Sequence, residues 1–256
     1  MKKIFFVCIL LSSLAFASNI FQGSTWTMAG NNSLVASFSG DDALFINPAG
    51  LYNNITSYQE YNLDTEKNTY EQNKVSVFTW KNFTFAYQSI QTLTQNSKEY
   101  QYLGFGQNNK QFYWGIAYKH IPKLISPGWA LDVGFLFPLS KENILIGMSG
   151  INLFKEKSIT LPRQLNLGAS TSFFKEALIL NTQYSYTMEN NTSIYSACAT
   201  FNPSYFISLR LGVNNDSYSG GASLIIPYSK LFYSMVVPFD QNLTSTYSLG
   251  FIANPF

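Results

Sequence analysis

Asn82-Phe83-Thr84-Phe85-Ala86-Tyr87-Gln88 decides the fold. In an extended chain Phe83, Phe85 and Tyr87 share one face and Asn82, Thr84, Ala86 and Gln88 the other, because successive side chains of a strand point to opposite sides. The same period of two recurs along the chain. Phe112, Trp114, Ile116 and Tyr118 alternate with Tyr113, Gly115, Ala117 and Lys119. Leu131, Val133 and Phe135 alternate with Asp132, Gly134 and Leu136, and Leu165, Leu167 and Ala169 with Gln164, Asn166, Gly168 and Ser170. Tyr205, Ile207, Leu209 and Leu211 alternate with Phe206, Ser208, Arg210 and Gly212.

A soluble β-sandwich alternates too, but its wet face carries Lys, Glu and Asp. Here the second set is mostly Gly, Ser, Asn, Gln and Ala. Charged residues are only 12% of the chain, where about a quarter is usual, and aromatics reach 17%. Past residue 17 no run approaches the roughly 18 apolar residues of a membrane helix. A chain poor in charge, rich in Phe and Tyr, and without spanning helices satisfies its backbone in lipid by closing a sheet on itself. The expected fold is therefore all-β: a transmembrane antiparallel β-barrel with its apolar set facing lipid and its small or polar set facing the interior. Trp129, Tyr184, Tyr186 and Tyr247 lie near segment ends, where interfacial aromatic girdles belong.

The alternation maps to strands near 55–62, 73–80, 82–90, 98–106, 111–119, 129–138, 142–151, 163–173, 176–187, 192–201, 204–214, 217–226, 230–238 and 243–252, about 14 in all. Residues 52–256 average about 15 per strand, and a tilted spanning strand uses ~9–11, which leaves four or five for each connection. The connections carry turn residues, among them Asn53-Asn54, Asn108-Asn109-Lys110, Asn190-Asn191 and Asn214-Asn215-Asp216. Two links read as longer loops, Ile121 to Gly128 and Asn152 to Pro162.

The start of the chain reads as an export signal. Lys2 and Lys3 precede the apolar run Ile4–Leu14, and Ala15-Phe16-Ala17 is a small-x-small cleavage site. Residues 1–17 are assigned to the signal peptide, 18–51 to an N-terminal hatch segment and 52–256 to the barrel. Cys8 sits inside the signal run, which speaks against a lipid-modified cysteine. The whole chain has 16 basic and 14 acidic residues; removing Lys2 and Lys3 leaves the two counts equal. No basic patch marks a nucleic-acid partner, and Cys198 alone remains, so no internal disulfide is expected.

Residues 18–51 do not alternate. They lead to Asp41-Asp42-Ala43-Leu44-Phe45-Ile46-Asn47-Pro48-Ala49-Gly50-Leu51. Asp42 is placed to cap a helical turn over Ala43–Ile46. Asn47 precedes proline and is pushed out of the helical region, and Gly50 permits a positive φ at the turn into the first strand. The segment either simply starts the sheet or folds into the lumen as a hatch; the hatch is the expectation, since a barrel of this size encloses space to be filled. Asp41, Asp42, Asn47, Pro48, Ala49 and Gly50 are its motif residues.

This stretch resembles the start of two related groups, the FadL-like fatty-acid-transporter barrels with their Asn-Pro-Ala hatch motif and the PorV/PorQ-like outer-membrane proteins. The second likeness extends to Gly128-Trp129-Ala130-Leu131-Asp132-Val133-Gly134, to Gly150-Ile151-Asn152-Leu153 with Leu161-Pro162-Arg163 and Leu167-Gly168, and to Arg210-Leu211-Gly212. The resemblance implies a fourteen-stranded barrel in the bacterial outer membrane. For FadL-like members it implies passage of hydrophobic molecules through a hatch and a lateral opening; for PorV-like members, service in protein secretion and surface attachment. The chain is shorter than typical members of either group. Its last strand also departs from pattern: Tyr247, Leu249 and Phe251 alternate, but Pro255 interrupts before Phe256.

Catalytic chemistry is missing from the sequence. His120, the one histidine, cannot build a His-rich metal site, and no phosphate loop or cysteine pair appears. No enzyme activity, cofactor or metal is expected. Lys119, Asp132 and Arg210 fall on inward faces as lumen candidates, and an interior ion pair between Asp132 and Arg210, shared with Asp41 or Asp42, is one expectation; separately solvated side chains are the other. The expected partners are outer-membrane lipid with either a small hydrophobic ligand or secretion-system proteins. Three functions compete: transport of small hydrophobic molecules, a plugged structural or secretion-partner barrel, and a diffusion porin, for which few charges are available.

Overall fold

The computed structural model describes residues 34–36, 43–52, 54–66, 69–92, 97–109, 111–122, 127–139, 143–157, 159, 161–226, 229–240 and 245–253. The expected signal peptide, Asp41, Asp42, Pro255 and Phe256 lie outside them. A short helix α1 (Ala43–Ile46) and a 3-10 turn (Pro48–Leu51) precede the sheet. Fourteen strands follow among the described residues: β1 (Asn54–Glu66), β2 (Thr69–Lys81), β3 (Phe83–Thr92), β4 (Ser97–Asn108), β5 (Tyr113–Ile121), β6 (Gly128–Leu139) and β7 (Ile144–Lys155), then β8 (Gln164–Phe173), β9 (Leu178–Thr187), β10 (Thr192–Ser204), β11 (Ile207–Asn214), β12 (Ser217–Ile226), β13 (Ser229–Pro238) and β14 (Thr246–Ala253).

Each strand pairs antiparallel with its sequence neighbour, and β1 meets β14 through Gln59↔Ala253 and Glu60↔Ile252, so the order runs round a closed barrel. Short connections explain the meander: antiparallel neighbours need only a tight turn. Lys81 and Asn191 take the left-handed conformation (φ 56° and 53°) that such turns require. One rim carries the N-terminal segment and the turns at Asn82, Asn143, Phe174–Ala177 and Tyr205–Phe206; the other carries the β5–β6, β7–β8 and β9–β10 connections.

The alternation predicts the facing. Phe83, Phe85 and Tyr87 are exposed while Thr84, Ala86 and Gln88 are buried, and Leu211 and Val213 are exposed while Arg210 and Gly212 are buried. The outer face is thus a belt of Phe, Leu, Ile, Trp and Tyr on a protein whose inner face is small and polar. That inversion of a soluble fold is stable only where the outside is hydrocarbon.

Several boundaries differ from the sequence map, β1 for instance running on to Glu66 and β2 beginning at Thr69. β10 runs on to Ser204, so Tyr205 and Phe206 form an exposed turn and β11 begins at Ile207. β7 continues to Lys155, which shortens the second long loop to residues 156–163. Gly50 lies inside the 3-10 turn, so the chain enters β1 through that turn and an extended Tyr52 rather than through a left-handed glycine.

Leu211, 46% exposed at the middle of β11, tests the lipid-facing assignment. Leu211→Arg is expected to destabilise the inserted barrel by about 2–4 kcal/mol if it sits at mid-bilayer, whereas Leu211→Phe leaves stability near wild type. Urea titration of vesicle-reconstituted protein reads both; an arginine tolerated as well as phenylalanine contradicts the assignment.

Candidate functional site

The lumen is built around Asn47. Because Pro48 follows, Asn47 is held extended (φ −151°, ψ 98°), which breaks the helix and lets its side chain cap the next turn. Its Oδ1 accepts from the Ala49 backbone N–H at 3.2 Å, and its Nδ2 donates to the Val35 carbonyl at 2.7 Å and the Phe135 carbonyl at 3.1 Å. One side chain therefore joins two parts of the N-terminal segment to the wall strand β6. The α1 turn closes with the Asn47 N–H on the Ala43 carbonyl, and the 3-10 turn with the Gly50 N–H on the Asn47 carbonyl, each at 3.0 Å. Every residue from Ala43 to Leu51 is buried.

The wall is shaped to receive this segment. A methyl group added at Gly104 would fall 2.6 Å from both Leu44 Cδ1 and Leu51 Cδ1. One added at Gly115 would run into the Pro48 carbonyl, at Gly134 into Asn47 Oδ1, and at Gly147 into the Val35 carbonyl. These glycines lie on β4, β5, β6 and β7. They form a trough in which the segment's backbone touches the barrel's backbone, closer than any side chain would allow.

The interior has two characters. Toward β2–β4 the segment packs Leu44 and Phe45 with Val75, Val77, Ile90 and Tyr102 in one buried apolar cluster. The Phe45 and Tyr102 rings meet edge to face at 5.2 Å, and the Tyr102 hydroxyl donates to Gln88 Oε1 at 2.8 Å. Around β8–β14 the inward side chains are mostly amides and hydroxyls, among them Asn166, Asn181, Gln183, Ser219, Ser234 and Ser248, all buried, with Cys198 and Phe232 set between them. The Val35 N–H donates to Gln183 Oε1 at 3.0 Å, fixing the segment to that side as well.

Near the other rim lies a buried ion pair. Lys119 Nζ is 2.8 Å from Asp132 Oδ2, and the two side chains are 2% and 0% exposed. A bulge positions their third partner. Leu131 pairs with Phe154 but Val133 with Gly150, so Ile151, Asn152 and Leu153 oppose Asp132 alone. Asn152 adopts φ 54°, a left-handed conformation that asparagine tolerates, and turns inward. Its backbone N–H donates to Asp132 Oδ1 at 2.6 Å, its Oδ1 accepts from Lys119 Nζ at 2.9 Å, and its Nδ2 donates to the Pro162 carbonyl at 2.9 Å. The network thus fastens the β7–β8 loop to the interior.

That loop is a strap turned into the mouth. Ile159 and Leu161 are buried, and Ile159 sits over Gly128. Lys155 donates to the Leu161 carbonyl. Outside, the Glu189 carboxylate in the β9–β10 turn holds both ends: Lys155 Nζ at 3.1 Å, Arg163 Nε at 3.0 Å and the Arg163 N–H at 2.7 Å. Partial burial pushes the Glu189 carboxyl up, but the hydrogen bonds from Arg163, from Lys155 and from its own backbone N–H outweigh it and lower it from 4.5 to about 2.

Of the residues singled out from the sequence, Asn47, Pro48, Ala49 and Gly50 come together against the wall, and Lys119 and Asp132 pair. The expected Asp132–Arg210 pair is corrected: Asp132 takes Lys119, two positions before the end of the neighbouring strand, while Arg210 stands five strands further round and donates from Nε to Thr200 Oγ1 at 3.0 Å. Sequence reasoning missed Asn152, whose inward turn depends on a bulge. It also missed the glycine trough, although the signal was present as glycines recurring at inward positions of β4–β7.

An apolar exterior on a closed sheet with a filled, polar-walled lumen is the architecture of bacterial outer-membrane β-barrels, and the protein resides in that membrane. No family model matches the chain, and no curated protein matches it. Among solved structures, the chain is similar to the toluene transporter TbuX of Ralstonia pickettii (TM-score 0.61, 12% identity, covering 91% of this chain and 98% of that one) and to the toluene transporter TodX of Pseudomonas putida (0.59, 11%, 91% and 97%). It is also similar to the outer-membrane protein Omp33 of Acinetobacter baumannii (0.52, 8%, 78% and 98%). At these identities the likeness is one of fold.

Two outcomes check the site. Asp132→Ala strands the Lys119 ammonium in the interior and is expected to cost about 3–5 kcal/mol, whereas Lys119→Met with Asp132→Leu costs much less because no lone charge remains; denaturant unfolding of the three proteins compares them. The Glu189 clasp adds stability above the ordinary carboxylate range that is lost as pH falls from about 4.5 through about 2. Acid titration of strap protection by hydrogen exchange should show that loss in the wild type and not in Glu189→Gln.

Proposed function

We propose that this barrel carries small hydrophobic molecules across the outer membrane, with the N-terminal segment as its hatch. The observation that carries the reading is the asymmetry of the lumen. A barrel that served only as a scaffold has little use for an apolar, aromatic patch inside its wall, yet Val75, Val77, Ala86, Ile90 and Tyr102 supply one that clusters with Phe45. The opposite wall would hold water and polar groups. Such a patch gives an apolar solute a path past the hatch without crossing the hydroxyl-lined side. The sequence resemblance to FadL-like barrels and the toluene transport named for TbuX and TodX support the same reading.

A second reading is a plugged barrel that serves as a secretion partner, in the manner implied by the PorV/PorQ resemblance. The strap favours it, since Ile159 and Leu161 are buried in the mouth and the loop is fastened from both sides.

One pair of measurements separates them. Ala86 lies in register between Val77 and Tyr102, so Ala86→Trp fills the patch. Toluene uptake by vesicles carrying the protein is expected to fall severalfold with Ala86→Trp, while folding, read by heat-modifiable migration, is retained. In planar bilayers, conductance should rise when residues 18–51 are deleted. Toluene uptake no faster than in empty vesicles, with the strap intact or deleted, rejects transport and leaves the partner role.

A further inference from the structure

The strap at one rim and the N-terminal segment at the other share one interior. Ile159 and Leu161 of the strap belong to the same buried apolar cluster as Phe45 of the segment, together with Tyr102, Ile121 and Ala130 of the wall. A chain of specific contacts runs beside that cluster. The Phe45 ring meets Tyr102 at 5.2 Å. Tyr102 stands directly opposite Lys119 in the β4–β5 register, and both are buried on the inward face, so their side chains are neighbours. Lys119 holds Asp132 and Asn152, and Asn152 holds the Pro162 carbonyl of the strap.

Each link depends on the one before it to stay dry. Seated, the segment packs Phe45 on Tyr102 and closes the space beside the ion pair. The attraction between Lys119 and Asp132 is strong only while water is kept out, because it falls as the local dielectric rises. Withdrawal of the segment uncovers Tyr102 and admits water to its neighbour Lys119. The hydrogen bonds that set Asn152 weaken in the same step, and with them the hold on Pro162. The strap then depends on its outer clasp, where the Arg163 and Glu189 side chains are 46% and 34% exposed and an ion pair contributes little.

We infer that the N-terminal segment and the β7–β8 strap are an interlocked pair of gates: the strap stays shut while the segment is seated, and the opening of either lowers the cost of opening the other. The interlock rests on the segment being a movable hatch, as proposed above. Two unconnected lids open at random with respect to one another and rarely together. Coupled ones stay sealed at rest and open together. Coupling between two sites is reciprocal, so a change at the outer rim loosens the segment just as a change in the segment loosens the strap.

The test uses the full chain in the outer membrane of intact cells, with Cys198→Ser so that an introduced cysteine is the only one past the expected signal peptide. Ile159→Cys reports the strap through its rate of labelling by a membrane-impermeant maleimide. Phe45→Ala should raise that rate severalfold, while Phe232→Ala, an equal truncation of a buried residue on β13, should leave it near its starting value. With Lys119→Met and Asp132→Leu in place, the rate should already be high and Phe45→Ala should add little. In the other direction, Glu189→Gln should speed hydrogen exchange at the Asn47 and Gly50 N–H groups of the purified barrel in lipid nanodiscs. Heat-modifiable migration confirms that each variant has folded. Strap labelling that Phe45→Ala raises no more than Phe232→Ala does, or segment exchange that Glu189→Gln leaves unmoved, overturns the interlock. Toluene uptake is read separately: its absence beside coupled labelling and exchange rejects transport and keeps the interlock.

Discussion

In hydrocarbon no water is present to pair a backbone N–H or C=O, and every other feature of this protein follows from that constraint. A helix meets it locally; a sheet meets it only by closing, and here β1 returns to β14. Closure then inverts the usual pattern of burial. The large side chains that would form a core in water become the outer surface, and the interior is left with small and polar residues that cannot fill it by themselves. The N-terminal segment supplies the missing volume. Its own apolar residues, among them Leu44, Phe45 and Leu51, join inward residues of the wall in what resembles a conventional core.

Inserting a chain segment into a barrel raises the same constraint again at smaller scale, because the segment's own polar backbone is now enclosed. Asn47 answers part of it by capping the 3-10 turn and bonding Val35 and Phe135. The glycine trough answers another part by letting backbone approach backbone. The buried Lys119–Asp132 pair is of a different kind. A buried ion pair adds little net stability against an apolar replacement, so its value lies in geometry: with Asn152 it fixes where the strap enters the mouth. The two devices stand at different depths, one holding the segment from within and the other holding the loop above it.

Much of the barrel was legible in the sequence because its physics is local. A period of two with aromatic residues on one face and Gly, Ser or Asn on the other specifies strand, facing and solvent together, as Phe83–Gln88 does. The inward placement of Lys119, Asp132 and Arg210 followed from the same parity. What parity could not reveal was partnership. Asp132 and Arg210 share the inward face, but which inward residues meet depends on how many strands separate them, and Lys119 is one strand away while Arg210 is five. Asn152 escaped because a bulge breaks parity at that point; Ser149 to Asn152 are all buried in succession. Gly50 was misread because glycine permits a left-handed turn without requiring one, and the proline two residues earlier had already set a right-handed 3-10 turn.

The lumen's two-sidedness links the fold to its proposed task. Were the inward set uniformly polar, as parity alone suggests, a filled barrel would be a wet column with an occluding segment, suited to ions once opened. The structure instead sets inward apolar groups on β2–β4, where Val75, Val77 and Ile90 cluster with Phe45, among the buried polar Thr79, Thr84 and Gln88. Movement of the N-terminal segment away from that side would expose an apolar surface, while its hydrogen bonds to Phe135 and Gln183 anchor it on the other. The packing against β2–β4 is dispersive and nondirectional, whereas the bonds to β6 and β9 are directional and costly to leave unmade. The side of the lumen that can part from the segment at least cost is therefore the apolar one, and a path opened there admits apolar solutes in preference to water and ions.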